Sequence, residues 1–172
     1  MRDTCFFPAP ETWERIPVAY DYRGGNLVRS PVDLHRKGAK LISAAGGLFS
    51  TASDMGVFCQ MFLNGGRFEG ATILSPQSVD LMTRVHTGDL PTNLAGNGFG
   101  LGWSITRDSG GISFPSAGTF SHGGAWGTQM WVDRGRQLVA VFLTHRVSGG
   151  SDLERRAFFA TAASAARTSR VE

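Results

Sequence analysis

The sequence predicts an α+β fold in which an antiparallel sheet with a terminal hairpin is flanked by helices, and three observations lead there. From Gly98 to Ile105 the chain reads GFGLGWSI, with Phe99, Leu101, Trp103 and Ile105 alternating with Gly98, Gly100, Gly102 and Ser104. That period of two is expected of a strand with one packed face and one nearly bare face. Further on, Asp133-Arg134-Gly135-Arg136 supplies a tight turn between Gln129–Val132 and the apolar run Leu138–Leu143, the pattern of a β-hairpin. Finally, apolar residues recur at helical spacing behind capping residues in three other stretches. The predicted order is helix, helix, three strands, helix, and strands separated from helices in this way indicate α+β.

Residues 1–42 are rich in Pro and Gly and lack sustained periodicity, so they read as a loop-dominated, extended lead-in. The helical part follows over 43–97. Ser50 or Thr51 caps its first helix, and Thr51 with Asp54 three residues on resembles a capping box with Asp in the Glu place. Met55, Phe58, Cys59 and Phe62 form the apolar face, and Asn64-Gly65-Gly66 ends the helix. Ser75 then caps a second helix with Pro76 at its first position and Val79, Met82 and Val85 on its inner side. Gly88–Asn97 reads as loop. Strands fill 98–145, with Ser121-His122-Gly123-Gly124-Ala125 entering the second of them. Ser151-Asp152 opens a last helix, expected over 151–168, whose face is Phe159, Ala162, Ala163 and Ala166.

Length and composition limit what this chain does. At 172 residues it suits one domain, with 41% hydrophobic and 18% charged residues. Glycine, at 23 residues, is nearly double its usual share of about 7%. The excess gathers at turns and between Gly98 and Gly135, where it serves tight turns and close backbone approach. Net charge is +3, but the arginines are scattered. His35-Arg36-Lys37 and Arg155-Arg156 are too short for a nucleic-acid footprint, so no nucleic-acid partner is expected. No apolar run approaches the length that spans a bilayer, the N-terminus has no signal-peptide core, and no membrane partner is expected. Cys5 and Cys59 lie far apart and give no signal of redox compartment; Cys59 falls on the apolar side of its helix, as a buried free thiol would.

Several kinds of site chemistry are disfavoured. Four histidines without an HxxxH or HExxH pair, and two cysteines, make metal binding unexpected. Arg107-Asp108-Ser109-Gly110-Gly111 has the look of a chymotrypsin-type nucleophile segment, yet that fold needs two β-barrels and upstream His and Asp partners. Here it suits a Gly-rich loop between strands. No G-x-S-x-G elbow occurs, which disfavours a conventional α/β-hydrolase.

Met1-Arg2-Asp3-Thr4, then Ala45-Gly46-Gly47-Leu48-Phe49-Ser50-Thr51-Ala52-Ser53-Asp54-Met55, then Leu74-Ser75-Pro76-Gln77-Ser78-Val79 stand in a shared order and spacing. With the GxGLGW … HxG … G pattern of 98–145, they resemble the serine β-lactamase and penicillin-binding-protein superfamily. The nearest branch by resemblance holds class C-like β-lactamases, esterases and D-aminopeptidases. The resemblance runs from Met1 to about Arg167 and implies a partial β-lactamase/transpeptidase-like fold.

Members of that family use Ser-x-x-Lys, Tyr-x-Asn or Ser-x-Asn, and Lys-Thr-Gly on a strand. Only the third has a counterpart, His122-Gly123-Gly124. The resemblance implies that His122 and the Ala125 N–H serve catalysis, the latter as one of two oxyanion-hole donors. It implies that Gly123, Gly124 and Trp126 line the substrate side. Replacement of Lys by His occurs in esterase and peptidase branches and points away from a strict β-lactamase. The competing reading of His122 is a strand histidine bonded to the backbone.

The other two motifs cannot be formed. The lysines are Lys37 and Lys40, preceded three residues earlier by Leu34 and Lys37; Tyr20 and Tyr22 are followed two residues on by Tyr22 and Gly24. In the family those motifs precede the landmark that Met1-Arg2-Asp3-Thr4 matches. The expectation is therefore a single C-terminal segment of a longer domain, with Met1 an internal methionine. Complete, the enzyme would acylate a serine with a small ester, amide, peptide or β-lactam carbonyl and hydrolyse the acyl-enzyme, with no cofactor and no metal. The alternative is a non-catalytic binding module. The resemblance also implies that strand 138–145 has lost a neighbour, so either pairing with an N-terminal segment or a homo-oligomer through that edge is expected.

Overall fold

Thr51 caps the first helix, α1 (Ala52–Leu63), through its hydroxyl, which accepts the Asp54 N–H at 3.2 Å. The computed structural model describes residues 1–31, 40–43, 45–92, 95–108, 115–146 and 152–166. Asp54 does not complete the expected box. Its carboxylate turns instead to the start of the chain, accepting the Arg2 N–H at 3.2 Å, the Asp3 N–H at 2.8 Å and the Thr4 hydroxyl at 2.8 Å. Burial pushes the Asp54 carboxyl up, and the Thr4, Asp3 and Arg2 hydrogen bonds outweigh it, leaving the group below the usual carboxylate range. Ser75 caps α2 (Pro76–Thr83) in the same way, with Pro76 in the first turn.

The lead-in is more ordered than the sequence suggests. Pro10–Arg15 form a 3₁₀ turn, and β1 (Tyr20–Arg23) pairs antiparallel with β2 (Asn26–Arg29) around Gly24 and Gly25. Both glycines have positive φ, the conformation a two-residue hairpin turn requires. After α1, β3 (Arg67–Phe68) and β4 (Ala71–Thr72) make a second small hairpin.

The main sheet has five strands where three were expected. In order β5 (Asn97–Phe99), β6 (Ser104–Thr106), β7 (Phe120–Gly123), β8 (Gln129–Asp133) and β9 (Leu138–Phe142), all neighbours are antiparallel. The difference has two sources: GFGLGWSI is a hairpin and not one strand, and the stretch from Ser121 to Val132 turns back between Gly123 and Gln129 to give β7 and β8. Phe99 sits opposite Ser104, and the Gly100 N–H reaches the Trp103 carbonyl at 2.8 Å. Gly102 at φ +82° allows the reversal, and a Cβ on Gly100 would lie 2.4 Å from the Met82 carbonyl at the end of α2. Leu101 is consequently at the exposed tip.

Alternation along the strands sends side chains to two helical layers. Ile105, Phe120, Val132 and Val139 face α1 and α2, meeting Cys59, Phe62 and Val79. Trp103 stands edge-on to Phe62 and Phe120, each at 5.0 Å between centroids. Such geometry adds about 0.5–1.5 kcal/mol per pair to the burial itself. Burial pushes the Cys59 thiol up to about 12, so it stays protonated and inert. On the opposite face Trp131 and Ala140 meet Phe159 and Ala163 of α3 (Asp152–Ala165). Ser151, Ser109–Gly111 and His35-Arg36-Lys37 lie outside the described residues.

The turn between β8 and β9 forms where the sequence predicts it. Asp133, fully buried, accepts the Arg136 N–H at 3.0 Å, the Ser116 N–H at 3.1 Å and the Arg136 guanidinium at 2.7 Å. It thereby ties the turn to the chain entering β7.

Candidate active site

β7 carries the proposed wall beyond the end of its neighbour. Ser104, the first residue of β6, is opposite Ser121; His122 and Gly123 continue past it. On the other side they remain paired with Met130 and Gln129 of β8. Among the described residues, no ladder partner occupies the β6 side of His122 and Gly123. One side of this short strand is thus held by the sheet and the other is open.

The glycines are required by what lies over them. A Cβ on Gly124 would stand 2.3 Å from the Thr128 Oγ1, on a short, β-branched side chain with little room to move. A Cβ on Gly123 would meet the Gln129 Oε1 at 2.5 Å, a conflict that a flexible side chain relieves more easily. The turn beyond them is closed by Gly124 N–H to the Thr128 carbonyl, 2.9 Å, and Gly127 N–H to the Gly124 carbonyl, 3.0 Å. Gly127 supplies the positive φ that this turn needs, at +82°.

His122 is exposed, and among the described residues its ring makes no hydrogen bond. A strand histidine satisfied by the backbone, the competing reading, would show such a bond. The Ala125 N–H likewise has no hydrogen-bond partner among the described residues, and Ala125 is exposed. Trp126 is half-buried beside these residues, and its carbonyl accepts the Arg146 N–H at 3.0 Å. An exposed imidazole on the open part of β7 and an unused backbone donor in the turn after it are groups of the kind that can meet a polarised carbonyl. No group of three or more His, Cys, Asp or Glu residues that could hold a metal ion gathers among the described residues. No described helix is long and apolar enough to cross a membrane.

A family model described as Beta-lactamase matches residues 1–165. The chain belongs to the β-lactamase family. It is a member of the serine β-lactamase and penicillin-binding-protein superfamily, and its mixed helix and antiparallel-sheet architecture is the one its structural neighbours share. Protein Rv1367c of Mycobacterium tuberculosis is 32% identical over 157 residues, covering 83% of this chain and 39% of that protein. A putative D-alanyl-D-alanine carboxypeptidase of Salmonella newport is 32% identical over 111 residues, 61% of this chain and 24% of its own. The simvastatin synthase LovD from Aspergillus terreus superposes with a TM-score of 0.76 at 19% identity, covering 94% of this chain and 46% of that one. The chain thus spans less than half the length of each of these three relatives.

Sequence reasoning missed one residue at this wall, His145. It follows β9, and its ring lies 6.1 Å from that of Trp126. In the sequence it is a lone histidine after an apolar strand, and only the fold sets it beside Trp126.

Proposed function

We propose that these residues form one wall of the cleft of an acyl-enzyme serine hydrolase of esterase or peptidase type. The serine nucleophile and its lysine base would come from a Ser-x-x-Lys segment outside this sequence. In the reaction the serine Oγ bonds to the substrate carbonyl carbon. The Ala125 N–H donates to the oxygen as it gains negative charge, and the alcohol or amine leaves with a proton. Water then attacks the acyl-enzyme and releases the acid. What supports the reading most is exposed His122 on the open part of β7, followed in the next turn by an Ala125 N–H with no partner among the described residues. Family membership agrees with it. An imidazole where relatives carry lysine favours uncharged esters over substrates with a carboxylate in that position.

His122 tests the reading. It is exposed and bonded to nothing described, so His122→Ala should leave the melting temperature nearly unchanged. With the Ser-x-x-Lys segment supplied, the same variant should lose on the order of 10²-fold in kcat/KM on p-nitrophenyl esters. A large loss of stability with activity per folded molecule retained would reject the site role.

A second reading, a self-associating binding module, rests on β9. Its inner edge is held by β8, and among the described residues no strand pairs with its outer edge over Leu138–Phe142. Just beyond, the Tyr20 N–H takes the outward carbonyl of His145 at 2.8 Å. By alternation, Val139 and Val141 also turn their backbone groups outward. Leu143 is exposed and Phe158 partly so, whereas Phe159 is buried. An apolar edge of this kind pairs with a strand of the N-terminal segment or, without it, with its own copy. Sedimentation should therefore find a dimer, and Val141→Pro, which removes an outward donor, should give a folded monomer. A wild-type monomer at high concentration would exclude the module reading.

A further inference from the structure

Two rings at the rim of the wall have a use that the acyl chemistry leaves unassigned. The His145 Nδ1 lies 3.1 Å from the Pro17 carbonyl. A carbonyl oxygen only accepts, so Nδ1 carries the proton, and in the neutral ring Nε2 holds a lone pair. Among the described residues Nε2 has no partner. The backbone that carries the ring is held in place, and the Nδ1–Pro17 bond orients the ring itself. The His145 carbonyl accepts the Tyr20 N–H at 2.8 Å, and the next residue, Arg146, donates its N–H to the Trp126 carbonyl at 3.0 Å. The Arg146 side chain is directed elsewhere, to Glu154 of α3 at 3.1 Å.

Facing this imidazole is the half-buried Trp126 ring, inclined at 39°. Among the described residues its indole N–H also lacks a hydrogen bond and is open to solvent. An oriented acceptor and an apolar face with its own donor thus stand together, the face belonging to the residue that follows Ala125. A ligand matching them has a hydroxyl to give and a hydrophobic body to lay on the indole.

We propose that His145 Nε2 and Trp126 form a subsite for the alcohol part of the substrate, with Nε2 accepting a hydrogen bond from the hydroxyl of a hydrophobic alcohol. The inference rests on the cleft-wall reading above and adds to it the chemistry of the leaving group. The subsite receives the alcohol once the ester has released it, and no further covalent step is involved.

Benzyl alcohol titrated into the 15N-labelled chain provides the test, with benzyl methyl ether, which cannot donate, as the control. The Trp126 indole and His145 ring resonances should shift with the alcohol, which should bind more tightly than the ether. His145→Phe keeps a ring and removes the acceptor; it should weaken alcohol binding about tenfold and abolish the preference over the ether. His145→Gln, which keeps an acceptor, should retain most of it. The Tyr20 amide resonance reports whether the lead-in stays docked in each variant. Absence of shifts at Trp126 and His145, or equal alcohol affinity in His145→Phe, overturns the subsite. Since no acyl transfer is measured, those outcomes leave ester hydrolysis by the completed cleft untouched, and a failure of hydrolysis leaves alcohol binding to be read separately.

Discussion

The 172-residue chain alone should show no turnover of p-nitrophenyl acetate or nitrocefin above a heat-denatured control. Acyl-enzyme chemistry needs a serine made nucleophilic by a neighbouring base, and neither lysine of this sequence has a serine three residues before it. Loss of the nucleophile in a serine protease costs on the order of 10⁶ in rate, leaving only binding and oxyanion stabilisation. Here the second oxyanion donor is expected to be missing too, since in the family it is the nucleophile's own N–H. Intact mass after treatment with a fluorophosphonate or a penicillin should therefore be unchanged. A stoichiometric adduct on any serine of this chain would refute the proposed division of the site. The complementary result is gain of esterase activity when a Ser-x-x-Lys segment is joined or added in trans.

Asp133→Ala should produce the largest loss of stability of the substitutions considered, about 3 kcal/mol. The wild-type carboxylate is fully buried and satisfied by two backbone donors and the Arg136 guanidinium. Removing it takes the carboxylate away from a mostly buried guanidinium and the acceptor away from the Ser116 N–H. For a protein of this length the melting temperature should fall by about 10 °C. Burial raises the Asp133 carboxyl, and the bonds from Ser116 and Arg136 more than reverse this, so its pKa in the folded protein lies below the ordinary value. A depressed carboxyl stabilises the fold above the unfolded-state pKa of about 3.9, and that contribution drains away as pH falls towards the folded value. Denaturant midpoints should therefore decline below about pH 4 in wild type and decline less in Asp133→Asn. Equal acid sensitivity in both would show that the turn carboxylate is not what acid attacks.

Part of the fold is legible in the sequence because its signals are local. Thr51 and Ser75 bond to amides three residues away, so the caps can be read from a few letters. The same holds for the turn at Asp133, whose Arg136 contact spans three residues. His122-Gly123-Gly124 is a local pattern, whereas the need for glycine at 124 arises from Thr128, whose side chain folds back over it.

Where sequence reasoning failed, the deciding contact came from far along the chain. Asp54 looked like half of a capping box, but its partners are some fifty residues away, at the start of the chain. GFGLGWSI carries the alternation of a strand, and only the approach of the α2 carbonyls to Gly100 makes a hairpin of it. His145 had no motif at all; its place is set by Pro17, Tyr20 and Trp126, from two remote segments. The sequence by itself determined the α+β class, the starts of α1 and α2, the final hairpin turn and the family. Tertiary structure alone decided the five-stranded sheet, the open half of β7 and the pairing of Trp126 with His145. Caps and turns are closed by atoms a few bonds apart, whereas an open edge or a shared rim exists only once distant strands have chosen their neighbours.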